Sequence, residues 1–600
     1  MRGAARGSAP CPRRRVRALL ARVAALAFGT VLVAGCATVV EESQPVAIPQ
    51  SELGQAANPD VQTPAKDIDA LTVVRDFVHA SAAPLSNNAS ARLYLTDTAA
   101  KNWNPAKAMN IIEDQFNTVY STSGGQNDPN TEVVVVRGTS IGTLGADSAF
   151  IPSRSSYELP LTVQKQPDGQ WRITNPPDNL VLAYSDFTTN YVRVPLYFFA
   201  PDSNTVVPDL RYVAGVPQSG LAERVVRLLL SGPSDQLTGA VSNALPEGAN
   251  LDGTVTATGD GALVVPLTGV ADQPLEVRRM IAAQIVLSLQ TVTPNRVRLL
   301  SDGNPLVDGQ AEWLPSELPS YTGLASPSAD QPGLMVVDGR IRSLGDGEPI
   351  SGPAGQGGYD VVSAAQSIDG KQLAVVEQDG GHERLRVGAF GKDDSLVDSS
   401  GVPLSGGTMT RPTWRPTASA DGTAGEVWTV IDGQTVVRVL RTADGSWIPL
   451  AVNATDVPPV GPISVLRLSR DGARVAMVVN GQLLVAAVVR TPDSVQLRGL
   501  RSLQAGNLSD VVDVDWLSQD TLVVATTMSA EPVVKVPIDG LRIDPFNSSN
   551  LTPPVRSITA APGRPIVVSD AGGLWTASDV GEVWRPQPHT VPKASPFYPG

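Results

Sequence analysis

The spacing of apolar positions changes along the chain, and its first part predicts helices followed by strands. Two early runs have helical spacing: they comprise Leu71, Val74, Phe77 and Val78, then Ile111, Ile112, Phe116 and Val119. Alternation of apolar and polar residues then predicts strands at Glu132–Arg137, Ser148–Pro152, Ser156–Gln164 and Gln170–Thr174. Helices followed by an antiparallel sheet predict an α+β domain over residues 66–187.

The next region, residues 188–322, mixes short strands with two helices. The predicted strands are Tyr191–Phe199, Leu210–Val213, Leu251–Thr258, Gly261–Leu267 and Arg296–Leu300. The predicted helices are Leu221–Leu230, which ends before Gly232 and Pro233, and Leu275–Gln290. This order predicts a second α+β domain with two helices and one sheet.

From about residue 330 the helical period disappears and short strands dominate. Asp338-Gly339, Asp432-Gly433 and Asn480-Gly481 lie between apolar runs and predict two-residue hairpin turns. A turn-like element recurs at Asp369, Asp421, Asp471, Asp520 and Gly563, with spacings of 52, 50, 49 and 43 residues. Repeats of this length built from short strands predict a β-propeller over residues 330–590. We expect the hairpin at 334–344 to complete a further blade with the last strand of the chain.

The first 35 residues have the features of an export signal. They contain seven arginines, no acidic residue and an apolar run from Val23 to Ala34. The run is shorter than the roughly 20 apolar residues of a membrane-spanning helix. We therefore predict that residues 1–35 are removed during export.

The end of this segment predicts a lipid anchor. Val33, Ala34 and Gly35 precede Cys36 and resemble a bacterial lipobox, in which small residues fit a signal-peptidase cleft and the thiol receives a diacylglycerol thioether. Acylation of the new N-terminus would complete stable anchoring, because two or more chains are needed. The alternative is a secreted protein in which Cys36 is incidental. Residues 36–65, rich in Pro, Gln, Ser and Ala, are predicted to form a flexible tether.

Charge excludes one class of partner. The formal net charge is −13, and loss of the seven arginines of residues 1–35 makes it −20. Nucleic-acid affinity depends on cationic side chains that neutralise phosphates. We therefore expect no nucleic-acid partner.

No catalytic residue is predicted. Gly138-Thr139-Ser140-Ile141-Gly142 matches the nucleophile elbow G-x-S-x-G, but that motif needs a helix directly afterwards. Another predicted strand follows here, so we interpret the motif as a turn between strands. The three histidines, His79, His382 and His589, lie in different regions, so we predict no metal site and no cofactor.

Tryptophans of the last region could pack between blades or form a sugar-binding set. They are Trp414, Trp428, Trp447, Trp516, Trp575 and Trp584. Bulky residues on blade strands more often belong to the core, so packing is the favoured interpretation.

Several motifs resemble known families. The first domain is similar to NTF2-like domains, a likeness of fold that implies no ligand. The second contains LYFF, LLSGP, ALPEGANL and VRLLSDG and resembles GerMN domains of cell-envelope proteins. With the lipobox and the propeller repeat, the whole chain resembles the LpqB family of actinobacterial lipoproteins.

That resemblance implies a function and a partner. Members of this family accompany the MtrA–MtrB two-component system, so the chain would be a membrane-anchored factor that contacts the extracytoplasmic part of an MtrB-like sensor kinase. It would modulate signalling in cell-wall homeostasis and division. Two alternatives remain open: a lipoprotein that binds peptidoglycan or a solute, and a propeller-based envelope hydrolase or lyase.

Overall fold

The computed structural model describes residues 63–600 except for several short segments. These segments are 85–87, 106–107, 122–127, 202, 204, 294, 319–320, 322–325, 391–396, 399–403, 417–424, 504–507 and 590. Within the described ranges, no helix is both long enough and apolar enough to cross a membrane.

The first domain packs helices against one sheet, which confirms the α+β prediction. Its helices are α1 (Ala70–Ser81), α2 (Ala89–Arg92), α3 (Asp97–Asn102) and α4 (Tyr184–Asn190). Its strands are β1 (Met109–Ile112), β2 (Asn117–Tyr120), β3 (Thr131–Leu144), β4 (Phe150–Lys165), β5 (Trp171–Ile173) and β6 (Leu180–Ala183), in the order β5-β4-β3-β1-β6 with β2 also on β3. The helix α1 begins where the Asp69 side chain accepts from the Thr72 N–H at 2.7 Å, and it buries Val74, Phe77 and Val78 against the sheet.

The second predicted helix of this domain is wrong. Ile111 and Ile112 lie in β1, and Val119 lies in β2, while Phe116 lies between the two strands. The central strand β1 pairs with β3 on one side and β6 on the other, and both isoleucines are fully buried. A central strand buried on both faces carries consecutive apolar residues. The apolar pair of β1 together with Phe116 and Val119 of the following segment matched a helical spacing by coincidence.

The second domain consists of a ribbon, a small sheet and two helices. The ribbon is β7 (Tyr191–Phe199) with β8 (Val206–Ala214), and the helices are α5 (Leu221–Leu230) and α6 (Leu275–Leu289), close to their predicted bounds. The sheet contains β9 (Asn250–Leu251), β10 (Thr256–Ala257), β11 (Leu263–Thr268), β12 (Val297–Ser301) and β13 (Asn304–Pro305), and a 3₁₀ helix spans Pro315–Glu317. Both helices bury apolar side chains in a core shared with β7, β11 and β12.

The third region contains six sheets in the described residues, which confirms the β-propeller. The first blade is β14 (Leu334–Val337) and β15 (Arg340–Ser343) with the last strand, β37 (Ser595–Phe597); the short helix α7 (Pro353–Gln356) follows. The next two blades are β16 (Val361–Gln366), β17 (Gln372–Asp379), β18 (His382–Ala389), β19 (Val397–Asp398) and β20 (Ser405–Gly406), then β21 (Thr413–Trp414), β22 (Glu426–Ile431), β23 (Thr435–Arg441) and β24 (Trp447–Ala451).

The remaining three blades each have four strands. The fourth is β25 (Ile463–Leu468), β26 (Arg474–Val479), β27 (Gln482–Arg490) and β28 (Val495–Ser502). The fifth is β29 (Val511–Trp516), β30 (Thr521–Thr526), β31 (Val533–Pro537) and β32 (Asp544–Pro545), and the sixth is β33 (Ser557–Thr559), β34 (Ile566–Ser569), β35 (Leu574–Ala577) and β36 (Arg585–Pro586). Pairing of Leu334 with Phe597 between β14 and β37 closes the first blade as predicted.

Each predicted hairpin turn connects two strands of one blade and also contacts the next blade. Asp338, Asp432 and Asn480 have positive φ angles of 47°, 51° and 50°, as expected for the first position of a type I′ turn. The carbonyl of the glycine at the second position of each turn accepts a hydrogen bond from the start of the next blade. Gly339 accepts from Val361 N–H at 3.0 Å, Gly433 from Ile463 N–H at 2.8 Å and Gly481 from Val511 N–H at 3.0 Å. Turn chemistry therefore also fixes the spacing between blades.

Candidate functional site

The predicted anchor lies outside the described residues. Val33, Ala34, Gly35 and Cys36, together with nearly all of the tether, precede residue 63. Lipidation of Cys36 and recognition of the three preceding residues by a signal peptidase therefore stay predictions.

The candidate nucleophile Ser140 lies inside a strand, not in the turn that we predicted. The strand β3 continues through Gly138 and Gly142 to Leu144, and its register against β4 shifts between Ser140 and Gly142. This β-bulge explains the glycine, whose φ is 155° and whose Cβ position would clash with the Ile151 carbonyl. The motif is a strand irregularity, and no helix follows it.

The three histidines lie in separate places. His79 on α1 lies 2.5 Å from Asp186 on α4, His382 begins β18 at a hairpin tip, and His589 lies beside Gly347. In the part of the chain that the structure describes, no group of three or more His, Cys, Asp or Glu residues is arranged to hold a metal ion.

The propeller tryptophans belong mainly to the core, as the packing interpretation predicts. Trp414, Trp428, Trp516 and Trp584 are almost fully buried, and their indole N–H groups donate to Ala365 O, Glu426 Oε1, Arg467 O and Asn547 O. Trp447 packs edge-on against Trp414, and only Trp575 is partly exposed. These residues do not form a shared aromatic surface.

A buried charge cluster joins the first strands of neighbouring blades. Arg467 Nη2 lies 3.4 Å from Asp513, and Arg411 Nη2 lies 3.2 Å from Asp515, which also accepts from the Thr559 hydroxyl at 2.8 Å. Burial acts to raise the pKa of Asp515, but the arginines Arg411, Arg470 and Arg467 outweigh it and the pKa is lowered. These contacts link the first strands of neighbouring blades.

The strand β8 lies at the junction of the three domains. Every residue of this strand except Ala214 is buried. Tyr212 belongs to the core of the first domain, Val213 to that of the second, and Leu210 to that of the fourth and fifth blades. One strand therefore contributes to three hydrophobic cores, and the domains form one compact unit.

Polar contacts at this junction are buried and specific. Arg211 donates to Asp209 at 2.7 Å and to the Asp147 carbonyl of the first domain, while Asp209 accepts from the N–H and hydroxyl of Ser234 at 2.7 and 2.9 Å. From the propeller, Arg474 donates to Pro208 O at 2.5 Å. Arg211 and Asp209 thus form a buried ion pair, which offsets the cost of burying each charge.

The propeller is also held by Asp539, in the loop between β31 and β32. Its carboxylate accepts from the Tyr212 hydroxyl at 2.8 Å and lies 3.3 Å from Arg193, which also contacts Asp520 at 3.0 Å. Burial and then the Asp539 charge raise the pKa of the Tyr212 phenol, so the phenol remains a proton donor. Two cavities of about 410 and 420 Å³ flank this loop and share Tyr184, Leu541 and Arg542.

Sequence reasoning missed these junction residues. The spacing of Asp209 and Arg211 on a strand places both on one face, but nothing local shows that this face is buried. Arg193 and Tyr212 are each 327 residues away from their partners Asp520 and Asp539.

Comparisons with known proteins agree with this architecture. Residues 63–188 match the family model described as "Lipoprotein LpqB, N-terminal domain", residues 195–307 match "Sporulation and spore germination", and residues 339–599 match "Lipoprotein LpqB beta-propeller domain". The chain is thus a multidomain envelope lipoprotein with a C-terminal propeller.

Relatives over nearly the whole length define the family. The chain is 32% identical to the lipoprotein LpqB of Nocardia farcinica, over 96% of this chain and 98% of that protein. It is 31% identical to that of Mycobacterium tuberculosis, over 97% of this chain and 100% of that protein. The chain belongs to the lipoprotein LpqB family, and membership implies a membrane-anchored envelope lipoprotein.

Proposed function

We propose that the protein is lipid-anchored through Cys36 on the extracytoplasmic face of the cell membrane and binds the extracytoplasmic part of an MtrB-like sensor histidine kinase. Binding would modulate two-component signalling in cell-wall homeostasis and division. Family membership supports this role, and one structural observation carries it: β8 holds three domains as a single body. Such a body can offer a partner a surface larger than any one domain.

Because the tether would hold the protein at the membrane, a weak contact with the sensor kinase would be sufficient for binding. Residues 36–65 would extend about 30 Å if they behave as a coil, and anchoring two proteins in one membrane raises their effective concentration. The exposed hairpin turns at Asp432 and Asn480 are available on the propeller for such a contact.

Crosslinking in cells tests the partner. A photoreactive residue would replace Gln434 or Gln482, which follow the turns at Asp432 and Asn480 on the propeller, or Asp260 on the second domain, all of which are exposed. Capture of the sensor kinase from at least one of these positions supports the proposal. Capture of wall glycan without any kinase at all three positions would overturn it in favour of a glycan-binding role.

The anchor has a separate test. Cys36→Ala should abolish lipid labelling and delay removal of the export signal, whereas Cys11→Ala, within the same segment, should leave labelling intact. Labelling that persists in Cys36→Ala would show that the lipobox assignment is wrong.

A further inference from the structure

A polar cleft in the first domain has more than twice the volume of either junction cavity, at about 1050 Å³. One wall is α3 together with Trp103 and Asn104. The other is formed by the end of β4, the turn to β5 and residues 174–178. Concave sites of this size are where proteins usually bind small ligands.

The two walls are joined, so the cleft is preformed. The Trp103 indole donates to the Pro177 carbonyl at 2.7 Å across the cleft floor. Arg92 stacks over the Trp103 ring, 5.4 Å from its centroid, and donates to Trp103 O at 2.8 Å. Thr96 N–H also donates to Ile173 O at 3.0 Å. A site that is already rigid loses less entropy when a ligand binds.

The lining side chains carry unused hydrogen-bonding capacity. Among the described residues, the side-chain amides of Asn102 and Gln164 and the carboxylate of Asp178 have no hydrogen-bond or ion-pair partner. In the junction cavities, by contrast, Arg154 is paired with Glu113 at 2.5 Å and Arg542 lies 3.5 Å from Asp544. Asn102, Gln164 and Asp178 are all exposed, so the cleft presents polar groups that a ligand can contact directly.

The chemistry of the lining selects among ligands. Each amide offers both donors and acceptors, which matches hydroxyl groups, since a hydroxyl also does both. Asp97, Asp168 and Asp178 outnumber Arg172, so polyanions are repelled. Apolar residues are the minority of the lining, namely Leu95, Ala99, Trp103, Pro167 and Pro176, and Trp103 is itself buried, so the cleft favours a polar ligand.

We propose that this cleft binds an uncharged oligosaccharide, with its hydroxyl groups hydrogen-bonded to Asn102 and Asn104 on one wall and to Gln164 on the other. This binding is independent of the kinase contact. It gives the first domain a function of its own within the envelope.

Equilibrium binding tests the proposal with full-length protein in detergent. Fluorescently labelled cellotetraose and tetra-N-acetylchitotetraose serve as probes and are followed by anisotropy. Saturable binding of either probe is expected, and Asn102→Ala and Gln164→Ala should each weaken it about three- to tenfold, the effect of losing one hydrogen bond. Asn117→Ala, an exposed asparagine on β2 outside the cleft, should leave the affinity unchanged.

Other outcomes would overturn the proposal. These are the absence of saturable binding of both probes at millimolar concentration, an equal loss in Asn117→Ala, or a probe affinity unchanged by both cleft variants. Binding of a heparin tetrasaccharide or an unstructured peptide, but of neither uncharged probe, would assign the cleft to a different ligand class. Unchanged circular dichroism of the variants ensures that lost binding does not reflect lost folding.

Discussion

Two groups of arginine–carboxylate contacts in the second domain use the same chemistry in opposite surroundings. At the junction, the side chains of Arg211 and Asp209 are 0% and 5% exposed and lie 2.7 Å apart. At the sheet β9–β13, here called the outer sheet, Arg298 on β12 contacts Asp260 in the turn before β11 and Glu312 after β13. The side chains of Arg298, Asp260 and Glu312 are 29%, 46% and 28% exposed. Geometry alone does not distinguish the two groups.

Their surroundings do distinguish them. Water and salt screen the outer group, so its pairs add little to stability. The junction pair has lost its hydration, and each member depends on the other. We therefore expect ion pairs to matter in this molecule where they join domains.

The largest effect is expected for Asp209→Ala. It leaves the buried Arg211 guanidinium without its carboxylate and Ser234 without an acceptor, so the free energy of unfolding should fall by about 3–5 kcal/mol. Urea unfolding followed by tryptophan fluorescence measures the change, and Glu312→Ala on the outer sheet is the matched control. If both variants shift the transition equally, burial is not what separates the two groups.

A smaller loss is expected for Tyr212→Phe. The variant keeps the ring in the core of the first domain but removes the hydroxyl that donates to buried Asp539, which should cost about 1–3 kcal/mol. Tyr120→Phe, at a tyrosine that is 48% exposed, should have no effect in the same urea experiment. A neutral Tyr212→Phe would mean that Arg193 alone satisfies Asp539.

The His79–Asp186 pair, whose side chains are 47% and 28% exposed, should give the stability of the protein a weak pH dependence. The hydrogen bond to Asp186 raises the pKa of His79, against the opposing effect of partial burial. A raised folded-state pKa stabilises the protein fully below the unfolded value of about 6.5, and this contribution disappears as pH rises through the folded pKa. The unfolding midpoint of wild type relative to His79→Gln should therefore decrease between about pH 6 and 8. A difference that increases with pH would contradict the assignment.

The smallest effect is expected for Arg298→Ala on the outer sheet. Arg298 and its two partners all face solvent, so the unfolding midpoint should not change measurably at physiological salt. Any change at low salt should vanish when salt is added, because screening removes the attraction. A loss as large as that of Tyr212→Phe would remove the distinction between the two groups.

Local chemistry made much of the fold predictable. Asp-Gly and Asn-Gly fix a hairpin through the two residues of the turn itself, and the propeller turns at Asp338, Asp432 and Asn480 have the expected positive φ. The amphipathic patterns of α1 and α5 likewise depend on neighbours within one element. The spacing of Ile111 and Val119 predicted a helix, but these residues lie in two short strands. This prediction failed because the strands that pair with them lie elsewhere in the chain.

The candidate sites also divide into those formed by neighbouring residues, which can be predicted from the sequence, and those formed by distant residues, which cannot. The predicted export signal and the predicted lipobox at Cys36 are contiguous motifs, so both can be predicted from residues that are neighbours in the chain. The junction could not be predicted from the sequence, because Tyr212 meets Asp539 and Arg193 meets Asp520 across 327 residues. Likewise, the polar cleft exists only because Trp103 and Pro177 are brought together from separate segments.

Most of the elements and their order could be predicted from the sequence, and so could a candidate anchor at Cys36, because each depends on residues that are neighbours in the chain. The burial of β8 among three domains is a property of the tertiary structure, since burial depends on what surrounds a strand. The tertiary structure also decided which arginine–carboxylate pairs lose their water. The electrostatic energy of such a pair depends on that loss more than on the residues that form it.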